Sequence, residues 1–241
     1  MPEKRFLPIL KVNSADIKTR VLTCGDPVRA AMIAGELDRA EEIAYNREYR
    51  LFNGEKDGVE LTVVSHGVGA AGAAVCFEEL IQGGARMIIR IGTAGSLNRE
   101  IRDGDIIVAS AAVREDGLTD KLIALSYPAV ASYQLVNKLE EAGKELGIKS
   151  STGIVLTTAA FYPELEGVPN KYFSQAGVIA VEMEASALFV IAGLHGVAAG
   201  AVLAIDGMAI NFDGSNYNPH RVEVDQAIQD EIKLAIKAIV S

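Results

Sequence analysis

Tryptophan is absent from this 241-residue chain, and cysteine occurs only twice. Cys24 and Cys76 form no CxxC pair and have no neighbouring histidine in sequence. That argues against a disulfide framework or a cysteine-based metal site, and both read as small buried apolar residues in a reducing compartment. Basic residues are outnumbered, 23 against 32 acidic, for a formal charge of −9. With no basic tail or stripe, non-specific binding to nucleic acid or to an anionic membrane is not expected. Met1 to Leu10 lacks the apolar run of a secretory signal. No transmembrane helix is expected either, so a cytoplasmic protein is the reading. No Pro/Gly/Ser-rich linker or charge block divides the chain. Residues 1–241 therefore read as one α/β domain, with 49% hydrophobic residues to fill its core.

What is present centres on Met87-Ile88-Ile89-Arg90-Ile91-Gly92-Thr93-Ala94-Gly95-Ser96. Its apolar half reads as a strand buried on both faces, as in a parallel sheet, and Gly92 and Gly95 read as a turn. A buried Arg90 needs a partner. An anion at the carboxyl end of the strand is one remedy, with Thr93 and Ser96 adding hydroxyls. An ion pair with an internal Asp or Glu is the other.

Further stretches carry chemistry. Arg20 to Cys24 reads as a strand, and Asp26 and Pro27 as the N-cap and first position of a helix that places Arg29 in its first turn. An anion at that helix end, or an arginine extended into water, both fit. Ala44 to Arg50 alternates like an edge strand, and Leu51 to Val64 reads as a hairpin turning near Gly58. Gly67-x-Gly69-x-x-Gly72 has dinucleotide-binding spacing, but Arg90 lies where the ribose-binding acid should be, which argues against NAD. His66 reads as a turn histidine or a catalyst. Asp105 to Ala109 and Gly153 to Thr158 read as strands, Gly117 to Pro128 as a polar loop, and Ser132 to Leu146 as a helix. Phe161-Tyr162 offers either an aromatic wall or plain turn residues. Val178 to Val181 reads as a strand ending in Glu182-Met183-Glu184, either a sugar-binding pair of carboxylates or an acidic first helical turn. Val197 to Ile205 reads as a strand ending at Asp206-Gly207, where burial would raise the carboxyl pKa and suit it to proton donation, or where a turn simply begins. Residues 208–219 read as a loop over a site, and Val224 to Ile239 as an amphipathic helix.

Gly25-Asp26-Pro27-x-Arg29, Ala44-Tyr45-Asn46-Arg47-Glu48-Tyr49, Ser65-His66-Gly67-Val68-Gly69, Arg90-x-Gly92-Thr93-x-Gly95-Ser96, Ala112-Val113-Arg114-Glu115-Asp116, Val181-Glu182-Met183-Glu184 and Asp206-Gly207 occur in this order. Together they resemble the nucleoside phosphorylase-I family, in particular the hexameric type of purine nucleoside phosphorylase and most closely its apicomplexan form. The resemblance implies an α/β fold whose mixed central sheet is partly closed into a barrel and flanked by helices. It implies phosphorolysis of purine nucleosides, with inorganic phosphate as co-substrate and no metal or organic cofactor. Phosphate would be held by Gly25, Arg29, Arg90 and Thr93, with Arg47 entering from a neighbouring subunit of a hexamer built as three dimers. Val181, Glu182, Met183, Glu184 and Tyr162 would form the nucleoside site, and Asp206 would act on the purine. Phe212 stands where the apicomplexan forms carry a loop aromatic. Two departures accompany the match. Near Ile9 the family usually has a histidine that meets the 5′-hydroxyl, and Thr93 replaces a serine while keeping its hydroxyl. A uridine phosphorylase is the first rival, yet Pro163-Glu164-Leu165-Glu166 lacks the glutamine–arginine pair of that branch. A nucleosidase using water and a non-catalytic nucleoside sensor remain as further alternatives.

Overall fold

The computed structural model describes residues 5–162, 169–212 and 220–241. A two-stranded ribbon, β1 (Phe6–Leu7) with β2 (Val12–Asn13), precedes the main body. There follow β3 (Arg20–Cys24), α1 (Pro27–Gly35), β4 (Asp38–Asn46), β5 (Tyr49–Lys56), β6 (Val59–Ser65), α2 (Ala70–Gln82), β7 (Met87–Ser96) and β8 (Ile106–Glu115). Next come α3 (Thr119–Leu122), β9 (Ala129–Val130), α4 (Tyr133–Leu146), β10 (Ser150–Thr158), α5 (Asn170–Gln175), β11 (Ala180–Glu182), α6 (Ala185–His195), β12 (Ala198–Met208) and α7 (Val222–Val240).

The sheet is mixed and partly closed. Strands β7, β12, β8, β10 and β11 pair in sequence, and β11 pairs back onto β7 to complete a ring. From β7 the sheet continues outward through the parallel strands β3 and β6 to the antiparallel β5 and β4. Closure removes the unpaired edges of the barrel strands. Strand β7 is the shared wall: it pairs with β3 and β12 in parallel and with β11 in antiparallel register. One apolar core lies under α2 and α6, including Phe77 and Phe189; another lies under α1, α4 and α7, including Ile33, Leu135 and Ile232.

The glycines of β7 do not form the expected turn. The strand runs on through Gly92 and Gly95 to Ser96, with Gly92 opposite Leu203 and Gly95 opposite Gly207 and Val181. What requires glycine is space. A Cβ on Gly92 would lie 2.1 Å from Arg90 Nη1, and one on Gly95 2.6 Å from Ala209 Cβ. The stretch Ala44 to Arg50 is likewise two strands. Arg47 and Glu48 turn the chain, with Arg47 at φ 56°, and the alternation passes unbroken through that tight hairpin. Within the expected loop 117–128 the short α3 forms, and Arg114 organises it. Its guanidinium donates to the carbonyls of Thr119 (2.7 Å), Ile123 (2.9 Å), Ala124 (2.9 Å) and Tyr127.

Residues 185–205 contain no Asp, Glu, Lys or Arg, a length that alone suits a membrane span. Gly196, at φ 65°, instead ends α6 and sends the chain into β12. Among the described residues no helix is long and apolar enough to cross a membrane.

Candidate active site

The carboxyl ends of β3, β7 and β12, the short β11 and the N-terminal ends of α1 and α6 surround a cavity of about 980 Å³. Arg90 rises into it from β7 and is only 3% exposed. Its Nη2 lies 3.0 Å from Glu182 Oε2 and donates to Glu184 Oε2, and its Nε donates to Glu182 Oε2 at 3.2 Å. Of the two remedies for a buried arginine, internal carboxylates are therefore present. Burial works to lower the Arg90 pKa, but Glu184 and then Glu182 outweigh it, and it stands above its ordinary value.

Both carboxylates are fixed by their surroundings. Glu182 Oε1 accepts from Thr157 Oγ1 (2.5 Å), and its Oε2 accepts from the backbone amides of Glu184 and Ala185 (2.8 Å each). It thus satisfies the free N–H groups that open α6. Burial pushes the Glu182 carboxyl up and Arg90 opposes that; the Glu184 charge adds to the rise. Glu184 Oε1 accepts from Gly69 N at 2.5 Å. Gly69, at φ 92°, is the N-cap of α2. The glycine-rich turn with dinucleotide spacing thus presents its helix amide to a carboxylate of the same chain. Below this layer Asp116 accepts from Ser186 Oγ and Thr119 Oγ1, both at 2.6 Å, tying α6 to α3.

Arg29 reaches the same cavity from α1. Asp26 caps that helix by accepting from Val28 N at 2.8 Å, with Pro27 at its start. The Arg29 side chain is only 14% exposed, and its Nη1 lies 3.7 Å from Glu231 Oε1. Gly25 and Thr93 line the cavity as well. Gly25 also closes the junction of β3 and β6, its carbonyl accepting from Gly67 N at 3.0 Å.

Asp206 enters from β12 through a register irregularity. Ile205 pairs with Ala94 and Gly207 with Gly95, so Asp206 is the extra residue between them. A bulge of this kind re-aims a side chain next to a site. Asp206 is 4% exposed and lines the cavity with Arg29, Arg90 and Glu184.

Val181, Met183, Met208 and Phe161 supply the less polar lining of the cavity. Phe161 and Phe212 meet edge to face, with centroids 5.3 Å apart. Tyr162 packs on the far side of that cluster, 5.0 Å from Phe161, and is 65% exposed; it is not among the residues lining the cavity. Arg47 is also outside it, exposed on the β4–β5 hairpin. Residues 163–166, where the uridine-branch pair was sought, and residues 213–219 of the expected loop lie outside the described residues.

Sequence reasoning missed four charged groups here: Glu48, Asp103 and Arg221 line the cavity, and Glu231 underlies it. Arg221 Nη1 pairs with Asp103 Oδ2, and Arg221 Nη2 donates to the Asp206 carbonyl at 3.3 Å. Only Glu231 carried a signal, being an acid on the buried stripe of α7 among Val224, Ala227 and Ala235. Among the described residues no cluster of His, Cys, Asp and Glu has the makings of a metal site.

Residues 19–241 match the family model of the phosphorylase superfamily. A purine nucleoside phosphorylase of Plasmodium falciparum is 38% identical over 236 residues, spanning 95% of this chain and 94% of its own length. A uridine phosphorylase of Thermococcus kodakarensis is also 38% identical, over 203 residues, spanning 79% of this chain and 73% of its own. The crystal structure of purine nucleoside phosphorylase from Toxoplasma gondii in complex with immucillin-H superimposes with a TM-score of 0.94 at 33% identity, covering 99% of this chain and 97% of that one. The chain belongs to the phosphorylase superfamily.

Proposed function

We propose that this protein catalyses the phosphorolysis of purine nucleosides, inosine and guanosine foremost, to free base and ribose 1-phosphate, and serves purine salvage in the cytoplasm. One observation carries the reading: Arg29, Arg90, Glu184 and Asp206 share a single cavity. The whole of residues 1–241 acts as one phosphorylase domain, assembled as a homohexamer of three dimers in which Arg47 completes a neighbour's site.

The chemistry follows from the charges. Gly25, Arg29, Arg90 and Thr93 hold the phosphate dianion and aim one of its oxygens at C1′ of the nucleoside. Breaking the C–N bond leaves positive charge on the ribose ring. Met183 and Glu184 hold the sugar, and the Glu184 carboxylate favours that charge. Val181 and Phe161 border the base, and Tyr162 buttresses the Phe161 ring from outside the cavity. Asp206 donates to N7, so the purine departs neutral. Glu182 orients Arg90 and caps α6. An arriving phosphate competes with the two glutamates for Arg90, freeing Glu184 for ribose hydroxyls. No metal or organic cofactor takes part. The apolar Ile9, in place of the family histidine, favours acceptance of 5′-modified nucleosides.

The test is release of free base from inosine, guanosine, adenosine, uridine and a 5′-methylthio purine nucleoside, each with and without phosphate. Phosphate-dependent release from inosine and guanosine is expected. Release only from uridine would instead support the uridine-phosphorylase reading, which the Thermococcus relative keeps in view. Release without phosphate would indicate a nucleosidase. Binding without release would indicate a sensor.

A further inference from the structure

One carboxyl beneath the anion end of the cavity takes no part in this chemistry. Glu231 is fully buried on α7. Its Oε2 accepts from Ala204 N on β12 at 2.9 Å. Its Oε1 has no hydrogen-bond partner among the described residues and lies 3.7 Å from Arg29 Nη1. Arg90 is gripped by two carboxylates; Arg29 meets this one, from behind, while its guanidinium borders the cavity in front. An apolar residue would fill such a position on α7 more cheaply, since a buried acid without full hydrogen bonding is disfavoured.

We propose that Glu231 is a positioning residue of the anion subsite: its carboxyl steers Arg29 from behind and takes up a proton when an oxyanion of the phosphate class binds in front. The inference rests on assigning Arg29 to phosphate. Burial raises the Glu231 pKa to about 8, against the pull of Arg29, the Ala204 amide, Arg90 and the Gly92 amide. Arg29 faces it from α1 and Arg90 from β7. Cys24 faces it from β3, its thiol pushed by burial to about 12 and hence neutral. From α4 the core presents apolar side chains, Leu135 and Leu139 among them. A dianion on Arg29 adds negative charge near the carboxylate and so favours its protonated form. The sign follows by linkage. Below its pKa, Glu231 is neutral and Arg29 offers its full charge to the anion. Above that pKa, the carboxylate offsets part of that charge and binding weakens.

Sulfate is the probe, because it remains a dianion across this range whereas phosphate itself titrates. The wild-type protein is titrated with sulfate from about pH 7 to about pH 9.5, and at about pH 8 in buffers of differing ionisation enthalpy. A weakening of about tenfold, equivalent to one pKa unit of coupling, is expected together with net proton uptake. Glu231→Gln, which keeps an acceptor for Ala204 N, should bind sulfate with no such dependence. A slope unchanged in Glu231→Gln, or no proton uptake by the wild type, overturns the proposal. Should the variant fail to fold by circular dichroism, Glu231→Met, of similar shape and without a titrating group, is read in its place by the same criteria. Arg29→Ala separates the two layers. If sulfate affinity is unchanged in Arg29→Ala, or the wild type binds no sulfate, the anion assignment itself has failed. If Arg29→Ala weakens sulfate while wild type and Glu231→Gln behave alike, only the role of Glu231 has failed.

Discussion

The two ends of the cavity are built on different principles. At the charged end Arg90, Glu182 and Glu184 are each less than 5% exposed and fixed by hydrogen bonds from Thr157, Gly69 and the start of α6. At the other end Phe161 and Met208 are 37% and 47% exposed, and the Phe161 ring rests on edge-to-face contacts with Phe212 and, outside the cavity, with Tyr162. Buried charges gain their value only with partners held in place by the barrel. A flat apolar ligand needs surface area and little else, so the second end tolerates a looser construction. The charged end is thus part of the stability of the fold, whereas the aromatic end can vary at small cost to it.

The sharpest way to break this contrast is Arg90→Ala. It strands two buried carboxylates and should cost about 3–5 kcal/mol of stability, read from denaturant unfolding, besides weakening phosphate. A variant as stable as the parent would show that the triad is not structural. Asp206→Ala comes next. The activation free energy for inosine turnover should rise by about 2.7–4 kcal/mol, by analogy with loss of an oxyanion-hole donor, with phosphate affinity far less changed. Equal turnover would remove its role as acid.

His66 carries the comparison to pH. It is fully buried against Phe77, its Nδ1 2.9 Å from the Gly67 carbonyl. Burial lowers its pKa to about 3, with Arg90 adding to the effect. Between its ordinary value and about 3, the unfolded chain binds a proton that the native state refuses. Stability therefore falls as pH falls through that window, by at most about 1.4 kcal/mol per pH unit. Unfolding of His66→Leu measured from pH 6.5 downward should show that part of the slope removed. The smallest effect belongs to the aromatic end. Phe212→Ala should raise the KM for inosine by up to about tenfold, since such ring pairs are worth about 0.5–1.5 kcal/mol, and leave stability and the KM for phosphate near their original values.

Much of the chemistry was visible before the fold. Asp26-Pro27 announced α1, the apolar spacing after Val224 announced α7, and the ordered motifs from Gly25 to Asp206 announced the family. Glycine was harder to read, because the same residue serves a turn, a positive φ or a close approach. Gly69 takes the positive φ, while Gly92 and Gly95 stay extended and make room for Arg90 and Ala209. The hairpin at Arg47-Glu48 hid for a related reason, since neither residue is one that marks a turn.

Residue order alone determined most of the segments that extend as strands or coil as helices, and which chemical groups the protein has to work with. Those properties depend on neighbours a few positions apart. Which acid meets which cation was decided by the closed sheet. Arg90 finds Glu182 and Glu184 across 92 and 94 residues, and Ala204 meets Glu231 across 27. Asp206 turns inward because β12 and β7 slip by one residue at that point. A buried charge is stable only against a specific partner, and only the folded barrel brings such partners within a few ångströms of one another.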